Sequence, residues 1–210
     1  MECKGAGEYL CNICLRKVPK APEICPICIY YSHEGKTHVR CKKTLGLNGL
    51  IVGWRHQGVV RKAIHTLKYR FISDVSSELV EKYVLHFQKK LPKKALLVPI
   101  PLYKGRKKWR GFNQTEELGR RIARQMAWEY LPNALTKKKS DKPQSVLNRT
   151  ERLRNIRGKY AVNQAQKKNI RGKQIVLFDD VWTTGATIKE ACSVLKRNGA
   201  KKVWGMSITG

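Results

Sequence analysis

The chain has 210 residues, with 44 lysines and arginines against 15 aspartates and glutamates, and a formal net charge of +29. An apolar fraction of 41% with 28% charged residues excludes a disordered chain. The strongest apolar stretch, Ala95 to Leu102, contains two prolines and falls well short of the roughly 18 residues a membrane helix needs, so stable membrane insertion is not expected.

The first residues lack the basic-then-apolar layout of a secretory signal, which predicts a cytoplasmic protein. Six of the seven cysteines fall within the first 41 residues, and in a reducing compartment that density points to metal binding rather than disulfides. Cys11-Asn-Ile-Cys14 and Cys25-Pro-Ile-Cys28 are two short-spaced knuckles, and His38-Val-Arg-Cys41 is a third pair. Two such pairs make a closed tetrahedral zinc site of structural type. One partition uses Cys25, Cys28, His38 and Cys41 and leaves Cys3, Cys11 and Cys14 as most of a second site; the other uses Cys11, Cys14, Cys25 and Cys28. Residues 1–45 have too few branched apolar residues for a core of their own, so they read as a metal-stapled ribbon module, followed by a second domain over 46–210.

After the Asn48-Gly49 turn signal the pattern changes to alternating strands and helices, beginning with an apolar run at Leu50 to Trp54. Val60, Ala63, Ile64 and Leu67, and then Val75, Leu79, Val80, Tyr83, Val84 and Phe87, step at helical spacing. Ala95 to Ile100 reads as a buried strand ended by Pro99 and Pro101. Leu118, Ile122, Met126 and Tyr130 predict a helix from about Gln114 to Tyr130. Residues 136–173 lack apolar periodicity and read as a long mobile segment outside the core. Gln174 to Phe178 predicts a strand, Ile188, Ala191 and Leu195 a helix stopped by Gly199, and Val203 to Ile208 a last strand. This alternation implies an α/β fold with a mostly parallel sheet covered on both faces.

The chemistry is concentrated in Val176-Leu-Phe-Asp-Asp-Val-Trp-Thr-Thr-Gly-Ala-Thr-Ile188. In an open parallel sheet, ligands collect beyond the carboxyl ends of strands. Asp179 and Asp180 stand there, able to accept hydrogen bonds from paired sugar hydroxyls. Thr183, Thr184, Gly185, Ala186 and Thr187 follow at the head of a helix, where amides, hydroxyls and the positive helix end suit one phosphate. Acids for a ribose and amides for its 5′-phosphate, a few residues apart, match a ribose phosphate.

This run resembles the phosphoribosyl pyrophosphate signature of type I phosphoribosyltransferases. With His65-Thr-Leu-Lys-Tyr69, Val98-Pro-Ile-Pro-Leu102, Arg110-Gly-Phe-Asn-Gln114 and Gln144 through Asn155, in that order, residues 48–208 resemble the ComF family of phosphoribosyltransferase-like proteins associated with DNA uptake and competence. The resemblance implies a type I phosphoribosyltransferase fold behind an N-terminal zinc ribbon, sometimes double. It also implies a pyrophosphate loop over 101–106, carrying Lys104 and Arg106, with Arg110 opening the following helix, a loop at 140–157 closing over substrate, and magnesium bridging diphosphate and ribose oxygens. Lys68 either reaches the phosphate side or caps its own helix.

Two functions follow. One is a phosphoribosyltransferase of nucleotide metabolism, moving phosphoribose from its pyrophosphate to an acceptor at the expense of the anomeric C–O bond. The other is a non-enzymatic module that senses phosphoribosyl pyrophosphate or a nucleotide while a basic surface holds single-stranded DNA for the uptake machinery during natural transformation. The +29 charge suits a polyanionic partner, with binding that weakens as salt rises.

Overall fold

The computed structural model describes residues 8–69, 72–103, 105, 111–138 and 156–210. Five strands, β1 (Gly49–Trp54), β2 (Leu96–Pro99), β3 (Glu129–Tyr130), β6 (Gln174–Val181) and β7 (Lys202–Thr209), form one sheet in the order β1-β7-β6-β2-β3, and every neighbouring pair is parallel. Side chains alternate across each strand, so the sheet feeds two cores. On one face Val176, Phe178, Met206, Ile208 and Leu97 pack under α2 (Gly58–Tyr69), α3 (Ser73–Phe87) and α4 (Gln114–Gln125). On the other, Ile175, Leu177, Val203 and Val98 pack under α6 (Ala186–Arg197), the short α5 (Lys167–Ile170) and an antiparallel pair, β4 (Leu135–Lys137) with β5 (Tyr160–Val162). Both helix faces predicted for α2 and α3 point inward, as does that of α6.

Two expectations need correction. The third helix stops at Gln125, because Ala127 takes a left-handed φ of 51° and the Trp128 N–H folds back to the Ala123 carbonyl at 2.9 Å. The chain then enters β3 beside β2, and the Tyr130 hydroxyl donates to the Glu116 carbonyl at 2.7 Å. Met126 and Tyr130 kept helical spacing in the sequence, but the edge of β2 offered Tyr130 a ladder. The described parts of 136–173 are not outside the core either: Tyr160, Val162 and Ile170 are buried, with Ile156 beside them. Strands of three residues are too short to show a period.

The N-terminal residues cover the open edge of β1. Ala21 N–H donates to the Gly53 carbonyl at 2.8 Å, Arg55 N–H to Pro19 at 2.9 Å, and Thr37 N–H to Asn48 at 3.0 Å. Unpaired strand edges invite association with other chains, and this covering removes that hazard on β1. Leu10, Leu15 and Val18 enter the α2–α3 core, α1 (Asn12–Arg16) carries Leu15 inward, and the Glu78 carboxylate on α3 accepts the N–H groups of Tyr9 and Leu10, both at 2.9 Å.

Candidate functional site

Asp179 and Asp180 close β6, and strand alternation sends them to opposite faces of the sheet. Asp180 is buried on the α2–α4 side, where one of its oxygens receives Lys68 Nζ from α2 at 3.1 Å and Gln114 Nε2 from α4 at 3.3 Å. Asn113, next to Gln114, caps α4: its side chain accepts the Thr115 N–H at 3.1 Å, and its amide donates to Glu116 at 3.0 Å. The cap therefore sets the register that brings Gln114 to the acid. Asp179 belongs to the α6 side and accepts the Asp180 N–H at 3.0 Å. Burial, and then the Asp180 carboxylate beside it, push its carboxyl up from 3.8 to about 8, against the opposing pull of Lys137 and Lys68.

Beyond the acids the chain turns sharply into α6. Gly185 sits at φ 72°, and a Cβ there would lie 2.1 Å from the Trp182 ring, so only glycine fits. The Thr184 hydroxyl accepts the Ala186 N–H at 3.3 Å, while the other first-turn amides have no helical acceptor. The result is a small hollow lined by Asp179, Thr183, Gly185, Ala186 and Thr187 among others. Lys189 stands 5.6 Å over the buried Trp182 ring and adds a cation on this side of the turn. The hollow thus joins a carboxyl group to a helix N-terminus that carries no acidic residue in its first turn.

A second constellation lies in the N-terminal region. The donor atoms of Cys25, Cys28, His38 and Cys41 all lie within 4.8 Å of one another. His38 Nε2 meets the Tyr31 carbonyl at 2.9 Å, and since a carbonyl can only accept, Nε2 carries the proton and Nδ1, 3.3 Å from Cys28 Sγ, keeps its lone pair for an ion. Burial disfavours the Cys25 thiolate, but the N–H groups of Cys28, His38 and Ile27 directed at its sulfur bring its pKa down to about 7. Three sulfurs and one imidazole nitrogen of this kind could hold a metal ion. Cys11 and Cys14, at the head of α1, are not in that group, so a site made of Cys11, Cys14, Cys25 and Cys28 is excluded; among the described residues there is no second group of three or more such ligands. Cys3 lies outside the described residues.

Residues 115–204 match the phosphoribosyl transferase domain. The chain is 28% identical over 203 residues to DNA utilization protein YhgH of Escherichia coli (strain K12), covering 92% of this chain and 87% of that protein. Competence protein ComFC of Bacillus subtilis (strain 168) is 27% identical over 204 residues, covering 91% and 80%, and competence protein F of Haemophilus influenzae is 30% identical over 122 residues, covering 57% and 52%. These relatives support a place in the ComF family. In this chain an α/β, type I phosphoribosyltransferase fold follows a small cysteine-rich module. Among solved structures, an allosteric regulatory enzyme of purine biosynthesis overlaps 64% of the chain and 26% of its own length, at 16% identity and a TM-score of 0.43.

The structure gathers Asp179, Thr183, Gly185, Ala186 and Thr187 around one hollow and sets the Thr184 hydroxyl against the Ala186 N–H beside it. Lys68 is on Asp180. Lys104, Arg106 and Arg110, and the segment from Gln144 to Asn155, lie outside the described residues. Sequence reading gave no role to Gln114, Lys137, Tyr160 or His56, all of which reach this end of the sheet. His56, just after β1, bonds the Thr209 hydroxyl through Nδ1 at 2.8 Å, and partial burial, followed by the Lys68 and Arg61 cations, holds its imidazole below the usual range. The signal for Gln114 was present in the Arg110 to Gln114 motif; for the others only the fold brings them near.

Proposed function

We propose that this protein binds phosphoribosyl pyrophosphate with magnesium and transfers its phosphoribosyl group to an acceptor. The observation that carries the reading is the hollow joining Asp179 to the Thr183–Thr187 turn at the head of α6. The Asp179 carboxylate accepts hydrogen bonds from ribose hydroxyls, and Asp180, held in place by Lys68 and Gln114, fixes the end of β6 that presents it. The amides and hydroxyls of Thr183 to Thr187 hold the 5′-phosphate at the positive helix end. Lys104, Arg106 and Arg110 receive the diphosphate. Magnesium, when bound with the substrate, neutralises charge on the departing pyrophosphate. The anomeric C–O bond breaks, its electron pair leaves with pyrophosphate, and the acceptor supplies the pair for the new bond.

Residues 1–45 serve as a structural metal module and 46–210 as the transferase domain. Zinc suits the first, since tetrahedral zinc about 2.3 Å from each sulfur spreads its ligands about 3.5–4 Å apart, compatible with the Cys25, Cys28, His38 and Cys41 grouping. Free thiols at these positions fit a cytoplasmic setting. Calorimetric titration of phosphoribosyl pyrophosphate with magnesium tests the reading, followed by pyrophosphate release with nucleobases and amines as acceptors. No heat and no release would refute it; binding without release would leave a sensor.

A separate groove favours a second reading, in which the protein holds single-stranded DNA. Tyr31, 72% exposed, Val39 and Trp204 line it with Lys36, Lys42 and Lys202, at the end of the sheet opposite the acid pair. Aromatic faces interleaved with lysines suit stacked bases and their phosphates, and the competence and DNA-utilization names of the relatives agree with such a partner. Oligothymidylate binding that weakens with salt is expected, and a salt-independent or absent signal removes this reading.

A further inference from the structure

Tyr160 begins β5, opposite Lys137 on β4, and the pair of strands lies against α6. It is 4% exposed, and its hydroxyl is buried with no hydrogen-bond partner. Buried phenol hydroxyls are ordinarily bonded, and phenylalanine would fill this place without stranding a donor. The polar groups around it are those of the hollow and its rim: the Thr187 hydroxyl lies near it without reaching bonding geometry, and the Asp179 and Glu190 carboxylates are near enough for their charge to act on it. Burial, and then the Asp179 charge, push its pKa upward, so the phenol stays a donor at any working pH. Lys137 stands over its ring at 5.3 Å. The other unpartnered phenol among the described residues, Tyr83, differs: it is sunk between Trp54 and Phe87, and burial alone shifts it.

We propose that Tyr160 is a positioning residue for the ribose-phosphate hollow: its O–H donates to the Thr187 hydroxyl oxygen when the site fills, leaving the Thr187 proton to point at the bound phosphate. A threonine hydroxyl has one proton and two lone pairs, and rotation about its C–O bond lets that proton take several directions. A donor placed behind the oxygen opposes that rotation. The inference rests on the hollow's being a phosphate site, as proposed above.

The test is calorimetry on the full-length protein with ribose 5-phosphate as the probe, comparing wild type, Tyr160→Phe, Thr187→Val, the double variant and Tyr83→Phe. Tyr160→Phe is expected to bind about three- to tenfold more weakly, the worth of one hydrogen bond, with an unchanged or higher Tm because no native bond is lost. The double variant should bind no more weakly than Thr187→Val, and Tyr83→Phe should bind as wild type does. Wild-type affinity in Tyr160→Phe, or losses that simply add in the double variant, overturns the inference alone. Failure of the wild type to bind the probe overturns the proposed function and this inference together.

Discussion

The Cys25, Cys28, His38 and Cys41 cluster and the hollow at the head of α6 are both made at backbone turns, and they differ in where the turn sends its N–H groups. Around Cys25 they point back at the sulfur, so the donors converge on one another and their chemistry is complete within the module. At Gly185 the turn opens a helix whose first amides face outward, and the acid beside it is left with a raised pKa. A closed site stabilises the fold; an open one carries a standing electrostatic cost. The two sites should therefore respond in opposite ways when a polar group is removed.

The largest effect is expected from Cys25→Ser. Losing one ligand should release the metal and free the cover of β1, lowering Tm by about 10 °C on a scale of about 2–4 °C per kcal/mol, read by metal content and thermal melting. An unchanged metal content would remove Cys25 from the ligand set. Asp179→Asn should act the other way. Above about pH 8, where the Asp179 carboxyl is ionised, it should weaken phosphoribosyl pyrophosphate binding by about a hundredfold, the loss of charge-assisted bonds, while raising Tm by a few degrees.

That rise depends on pH. The folded-state pKa of Asp179 lies above its ordinary 3.8, so the stability linked to its protonated form is complete below about 3.8 and is lost as pH rises through about 8. The Tm advantage of Asp179→Asn should accordingly open between these values and stay level above them. A Tm difference that closes with rising pH would contradict the assigned environment.

Lys68→Met should cost about 2 kcal/mol, less than the 3–5 of a fully buried pair because the lysine retains some solvent contact; denaturant melts check it. A neutral outcome would mean that Gln114 alone suffices for Asp180. The smallest effect is expected for Asn113→Ala, about 1 kcal/mol for a helix cap, with a modest loss of ligand affinity through Gln114. Equal stability in both proteins would take the cap out of the account.

What the sequence alone determined was local. Each long strand is a continuous apolar run, each amphipathic helix carries its own period, and the acid–threonine run from Asp179 to Thr187 is contiguous, so each stands out along the chain. The tertiary structure decided everything that needs two distant segments. It ended α4 at Gln125 and made Tyr130 a strand residue, because the edge of β2 was available. It turned part of an aperiodic stretch into the buried β4–β5 pair, brought Cys25, Cys28, His38 and Cys41 together apart from Cys11 and Cys14, and laid that module along β1. It also put Lys68 on Asp180 and buried the Tyr160 hydroxyl without a hydrogen-bond partner. Spacing along a chain reports which face a residue takes on its own element, whereas ion pairs, metal clusters and covered strand edges depend on where other elements come to rest.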